Sequence, residues 1–210
     1  MNKNCYIYNK VKSMVGKTML FLALGLLSLN LLGACDAEDS ISRKYPCQFI
    51  FKTSFHPGST IETALNGAGT YTFISAERKN GIWHIYSTLN DGRNKTEDIA
   101  LSTASENYAN YSYMGAGTNK DVTKNGFILG QTNFNGLTAW ERQCPNCIMQ
   151  YGGTSYPLEW TGNRQSVTCG KCQRVYSLEN GTITSGDRGD MLMRYRVTYS
   201  GIGSVLTVGN

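Results

Sequence analysis

The chain has 210 residues, 40% of them hydrophobic, and a formal charge of +5, which suits one domain with a real core and is too short for two comfortable ones. Four of its 20 Lys and Arg residues (Lys3, Lys10, Lys12 and Lys17) precede residue 35 and all 15 acidic residues follow it, so the remainder holds 16 bases against 15 acids, a net of +1. That remainder lacks the basic cluster on which nucleic-acid affinity rests, and nucleic acid is excluded as an expected partner.

The chain begins with those lysines and then runs apolar from Met19 to Leu32, broken only by Gly25, Ser28 and Asn30. A span of the bilayer core needs about 20 helical residues, so this shorter run predicts a secretory signal over residues 1–34 rather than a membrane helix. Leu32-Gly33-Ala34-Cys35 resembles a bacterial lipobox. The resemblance implies cleavage before Cys35, lipidation of its sulfur and a membrane anchor of several acyl chains, which holds firmly where one chain would not. Residues 35–45 then read as a lipidated, polar tether. Asp36, Glu38 and Asp39 resemble the acidic stretch that sends some lipoproteins to the outer face of the outer membrane, so a cell-envelope location on either its surface or its periplasmic face is expected. Met14 and Met19 offer alternative starts, and Cys5 is irrelevant to the mature protein whichever start is used. No twin arginine precedes the apolar run, pointing to export of the unfolded chain.

Beyond the tether, short aromatic and β-branched runs alternate with turn residues, the pattern of an all-β sandwich or barrel. Residues 48–55 place Phe49, Phe51 and Thr53 on one side of a strand and Ile50, Lys52 and Ser54 on the other. Residues 71–75 and 82–89 read as a hairpin closed through Arg78-Lys79-Asn80-Gly81, where Asn-Gly supplies the positive φ of a tight turn. One short helix is expected within 97–107. Further pairs are expected at 127–131 with 137–142, at 174–178 with 182–185, and at 191–199 with 204–208, each around a glycine-containing turn. Gly-Ala-Gly-Thr occurs at 67–70 and at 115–118 without a surrounding repeat, so it marks two loops.

The strongest chemical signal is a pair of CxxC units, Cys144-Pro145-Asn146-Cys147 and Cys169-Gly170-Lys171-Cys172. Pro145 fixes φ at the second position of the first turn and Asn146 tolerates the third, so both sulfurs can face one hollow; Gly170 is expected to relax the second turn likewise. Two such turns offer four thiolates to one ion in a tetrahedron. With a divalent ion the site carries −2, which Arg142, Lys171 and Arg174 are placed to offset.

From Gly126 to Asn210 the chain resembles a Rieske-type domain. The features that carry the likeness are Gly126-Phe127-Ile128-Leu129-Gly130, Leu137-Thr138-Ala139-Trp140 ahead of Cys144-Pro145, then Cys169 with Arg174-Val175-Tyr176-Ser177-Leu178-Glu179-Asn180-Gly181, Gly186, and Leu192-Met193-Arg194-Tyr195-Arg196-Val197. Residues 47–125 look like the amino-terminal strands of Rieske-like bacterial lipoproteins. The resemblance implies a Rieske-like β sandwich over 46–210 with an inserted small metal-binding subdomain at about 141–178. It departs at the ligands: the family's two histidine positions fall on Asn146 and Cys172, and the only histidines, His56 and His84, lie far upstream. A conventional two-histidine cluster therefore cannot form at the matching positions, and the loops resemble the knuckles of rubredoxins and zinc ribbons.

Four occupancies are open: zinc, a single rubredoxin-like iron, a four-cysteine [2Fe-2S] cluster, or disulfides without metal. Zinc is favoured because it binds as an exported chain folds. Four protein sulfurs leave no coordination position for water, so the site reads as structural. No catalytic residue is identified. His56 and His84 are expected to be structural, and Cys47 a small buried hydrophobe. Tyr108, Tyr111, Tyr113, Trp140 and Trp160 are candidates for a ligand face or for core. The expected function is a lipid-anchored, noncatalytic envelope protein that engages an unidentified envelope protein or ligand; the alternative is an electron carrier with iron at the same cysteines.

Overall fold

The computed structural model describes residues 41–107 and 111–210. The expected signal run, Cys5, the expected lipidation site Cys35 and Tyr108 lie outside the described residues. Among the described residues no helix is long and apolar enough to cross a membrane.

The described residues form an all-β fold, with twelve strands and two short helices. The strands are β1 (Gln48–Lys52), β2 (Thr70–Lys79), β3 (Ile82–Leu89), β4 (Thr96–Ala100), β5 (Phe127–Gln131), β6 (Leu137–Glu141), β7 (Leu158–Trp160), β8 (Ser166–Cys169), β9 (Val175–Ser177), β10 (Ile183–Ser185), β11 (Arg194–Thr198) and β12 (Val205–Gly209). The helices are α1 (Thr60–Asn66) and α2 (Pro145–Tyr151). One curled antiparallel sheet has the order β1-β12-β11-β6-β5-β2-β3-β4, and a smaller one the order β10-β9-β8-β7.

Side chains alternate across a strand, and in the central strands both faces are used. Phe127 and Leu129 of β5, Ala139 of β6 and Ile74 of β2 join Phe49, Phe51, Ile61, Leu65 and Leu206 in a core on one face of the large sheet. Ile128, Trp140, Tyr71 and Phe73 turn the other way and pack with Leu158, Val167, Tyr176, Leu178 and three of the cysteines. Full burial of each such side chain contributes about 1.5–3 kcal/mol. The small sheet and α2 are thus held to the outer face of β2, β5 and β6.

The hairpins stand where the turn residues indicate. Asn80 (φ +50°) and Gly81 (φ +84°) close β2 on β3, from Thr72↔Leu89 to Lys79↔Ile82. β5 pairs with β6, β9 with β10, and β11 with β12. Two local expectations need correction. The helix expected within 97–107 is instead strand β4, because the edge of β3 takes up residues 96–100 with Ile85↔Ile99 in register, and pairing outweighs local propensity there. In 48–55, the strand gives way after Lys52 to a 3-10 turn over Thr53–Phe55.

Helix α1 is started by Ser59, whose Oγ accepts from the Glu62 N–H, while the Glu62 carboxylate accepts from the Gly58 N–H. It buries Ile61, Ala64 and Leu65. At the other end of the described chain, Asn210 donates to the carbonyls of Ser42 and Tyr45, and Ser42 N–H bonds the Arg194 carbonyl, so residues 41–45 already lie against the domain.

Candidate metal centre

The two CxxC units reach their positions by different local structures. Cys144 caps α2 in extended conformation, Pro145 is its first residue, and Cys147 follows on the first turn. Proline at that position is pre-set for helix and needs no N–H partner. Residues three apart on a helix share a face, which brings the two sulfurs together. The tight turn expected at 144–147 is therefore the opening of a helix. Cys169 ends β8, and the chain returns to β9 through a turn closed by Gln173 N–H to the Cys169 carbonyl. The residue with left-handed backbone in this turn is Gln173 (φ +59°), not Gly170. Gln173 Nε2 donates to the Gly170 carbonyl at 2.7 Å, which offsets part of that strain.

The four sulfurs converge, each within 4.8 Å of the others. Cys144 and Cys172 are 3.7 Å apart and Cys147 and Cys169 are 3.6 Å apart. A tetrahedron with metal–sulfur bonds of ~2.3 Å has edges of about 3.8 Å, so the donor set is close enough to hold a metal ion and is sized for one. All four are free thiols. Cys144, Cys147 and Cys169 are buried and Cys172 is partly exposed.

Burial pushes the Cys147 thiol up to about 12. Cys144 is also raised, first by the facing Cys169 sulfur and then by burial. Without a cation these thiols stay protonated at neutral pH, so metal capture must expel protons. Around the sulfurs stands a polar frame. Tyr176 Oη lies 3.3 Å from Cys144 Sγ and receives the Asn146 amide at 2.8 Å. Asn146 also donates to the Asp190 carbonyl and accepts from the Asp190 N–H, which clamps residues 186–190 over the first turn. Arg174 bonds the carbonyls of Asp187 and Arg188 in the same segment, and the thiol of Cys172 raises its guanidinium above the ordinary range.

Of the three cations expected to offset the charge, Arg174 is thus the one beside a sulfur. Lys171 sits 4.9 Å over the Tyr151 ring. Arg142 lies 3.6 Å above the Phe73 ring, whose opposite face stacks on Trp160 at 3.8 Å, and it bonds the Thr123 carbonyl and faces Glu159 at 3.7 Å. Arg142 pins the ligand segment to β2. Burial lowers its guanidinium to about 10, which leaves it charged at neutral pH.

Behind the first turn is Glu141, fully buried on β6. One carboxylate oxygen accepts the Gln143 N–H at 2.9 Å; the other accepts the Ala116 N–H at 2.7 Å and the Tyr195 hydroxyl at 2.6 Å. Burial raises its carboxyl to about 7, against the pull of these donors. Gln143 carries the brace onward, donating to the Lys124 carbonyl and accepting the Tyr156 N–H, while Cys144 N–H bonds the Tyr156 carbonyl. The bracing roles of Glu141, Tyr176 and Asn146 are not among the expectations drawn from the sequence. Glu141 had a visible signal: with Leu137 and Ala139 facing inward, strand alternation turns residue 141 inward too.

The remaining candidates lie elsewhere. His56 pairs with Glu106 at 2.5 Å and stacks on Phe51, and His84 pairs with Asp98 at 2.8 Å. Cys47 is buried, and burial first and Glu141 second raise its thiol. Tyr111 belongs to the core that holds Phe49 and Trp140 to the core that holds the cysteines, Trp160 packs against the latter, and Tyr113 is exposed, so these aromatics form no common face. No protein-family model matches the chain, and no curated protein matches it.

Proposed function

We propose that the protein is a lipid-anchored, noncatalytic cell-envelope protein, Rieske-like in architecture, in which Cys144, Cys147, Cys169 and Cys172 hold one structural zinc ion. The observation that carries this reading is the closed tetrad of sulfurs spaced for a single tetrahedral ion. A [2Fe-2S] cluster would need its two cysteine pairs spread apart to span two irons, so the spacing supports a mononuclear occupant. Zinc supplies cross-linking of the two turns, and its binding free energy becomes folding free energy. At the family's histidine position, Asn146 serves as a brace instead of a ligand, which supports a structural centre. The lipobox-like Cys35 supports the anchor, and the near-neutral remainder of the chain supports a partner in the envelope rather than a nucleic acid.

The test is elemental analysis and a visible spectrum of protein purified from its own host. One zinc per chain without visible absorption is expected; iron with visible bands overturns zinc, and metal-free protein with its four thiols oxidised overturns the metal reading. Mass spectrometry of the amino-terminal peptide should show acylated Cys35. A second reading, a single-iron electron carrier, is favoured by the partial exposure of Cys172, which leaves one edge of the centre near solvent. It requires a reversible redox wave from native protein.

A further inference from the structure

Where the loop after β5 meets the turn after β9, a cavity of about 360 Å³ is lined by Asn135, Thr138, Trp140, Glu179, Asn180 and Arg194. We propose that this cavity binds a neutral saccharide, with the exposed Phe134, the residue before lining Asn135, as the stacking platform. This goes beyond the function proposed above, giving the domain a ligand class, and does not depend on which metal the cysteines hold.

The first support is the way Phe134 is presented. Its side chain is 89% exposed at the tip of the β5–β6 loop. That tip is fastened by a single carboxylate: Glu179 accepts the backbone N–H groups of Asn133 and Phe134 at 2.9 and 3.0 Å and the Asn135 amide at 2.9 Å. Leaving a phenylalanine in water forgoes about 1.5–3 kcal/mol of burial, and an exposed ring on a backbone fastened in this way suits the apolar face of a sugar ring.

The second support is an inventory of unused hydrogen-bonding groups. Thr138 is 3% exposed and its Oγ1 has no partner among the described residues. A buried hydroxyl without a partner costs about 1–3 kcal/mol, so the unpaired hydroxyl of Thr138, a lining residue, marks a place for a hydroxylated guest. Around it, Asn135 spends its amide nitrogen on Glu179 and Asn180 spends its oxygen on Thr182, which leaves one amide acceptor and one amide donor of the lining unused. The Arg194 guanidinium touches the Trp140 ring at 5.9 Å and has no hydrogen bond among the described residues. Mixed donors and acceptors match vicinal hydroxyls, each of which both gives and takes a hydrogen bond.

Charge and size narrow the guest. Arg194 and Glu179 contribute opposite charges to one wall, which argues for a neutral ligand rather than an anion. The volume sits at the low end of the ~300–1,000 Å³ common to small-molecule sites and takes one or two sugar rings.

The experiment is saturation-transfer NMR on the full, metal-loaded chain with the methyl glycosides of glucose, galactose, mannose and N-acetylglucosamine. At least one should bind, and Phe134→Ala and Thr138→Val should each weaken it by about tenfold or more. Metal content should be unchanged in both variants. Thr138→Val should melt at the same temperature or higher, since it deletes an unpaired hydroxyl; a purely structural Thr138 would give a loss. Absence of binding by all four glycosides overturns the proposal, as does binding that survives both substitutions. Tighter, Arg194-dependent binding of inorganic phosphate or glucuronate would make the cavity an anion site and overturn it too.

Discussion

Replacing Glu141 by glutamine tests the frame behind the first ligand turn. The carboxylate takes three donors, the N–H groups of Gln143 and Ala116 and the Tyr195 hydroxyl. A glutamine can present oxygen to only one side, and keeping the two contacts of Ala116 and Tyr195 sets its NH2 against the Gln143 N–H. One buried donor facing another costs about 1–3 kcal/mol. Against this, wild type carries a pH penalty that glutamine lacks. The folded-state carboxyl is raised from 4.5 to about 7 by burial. The folded state therefore holds its proton where the unfolded chain has lost it, and this contribution is fully present below the ordinary carboxyl range and lost as pH rises through about 7. A shift of that size is worth about 3 kcal/mol across the window. Urea unfolding of both proteins with saturating zinc, from about pH 5 to about pH 8, isolates Glu141 in the difference between them. Glu141→Gln should be the less stable at the acid end, and the gap should close or reverse toward the alkaline end. A gap independent of pH would show that Glu141 does not titrate there and would refute the argument.

The other predictions concern the centre and its turns. Cys144→Ser and Cys169→Ser should each abolish stoichiometric metal and lower the melting temperature by several degrees at least, read by elemental analysis and thermal denaturation. Because the Cys144 and Cys147 thiols are raised in the absence of metal, the latter to about 12, protons compete with the ion. Metal transfer to a colorimetric chelator should be slow at alkaline pH and steepen as pH falls, and a flat profile would argue against thiolate ligation. Gly126→Ala should destabilise by about 3 kcal/mol or more, since φ is +81° and a Cβ would run into the rigid Ile74 carbonyl. Gly170→Ala, with nothing within 4 Å of its Cβ, should stay within about 0.5 kcal/mol of wild type and keep its metal.

What could be read from the sequence follows the range of the interactions involved. Asn80-Gly81 and the alternating residues of β5 and β6 declare themselves locally, because a positive φ and a period of two are properties of the segment alone. The four cysteines were legible for the same reason, as two short units of fixed spacing. Strand β4 was not: Glu97, Asp98 and Ala100 carry no strand signal of their own, and only the open edge of β3 makes them one. Helix α1 could have been found from Ser59 and Glu62, a capping pair at the start of the apolar run Ile61, Ala64 and Leu65. The clamp of Asn146 on Asp190 spans 44 residues and has no local signature.

The proposed ion should matter most to the small sheet, and the reason lies in that sheet's dimensions. β7, β9 and β10 have three residues each and β8 has four, well short of the usual five or six. Such strands bring few ladder hydrogen bonds, and their buried side chains, Leu158, Val167 and Tyr176, pack on Tyr71, Phe73 and Trp140 of the large sheet rather than forming a core of their own. The large sheet has Phe49, Phe51, Ile74, Phe127 and Leu129 on its other face, where none of the four clustered cysteines contributes. Losing the ion should therefore not unfold the molecule uniformly. Hydrogen exchange after chelation should show protection falling first in β7–β10 and in α2, while the amides of β2, β3 and β5 stay protected. Equal loss in both sheets would mean that the ion supports the whole fold, and that the packing of Trp140 and Phe73 transmits its removal across the central strands.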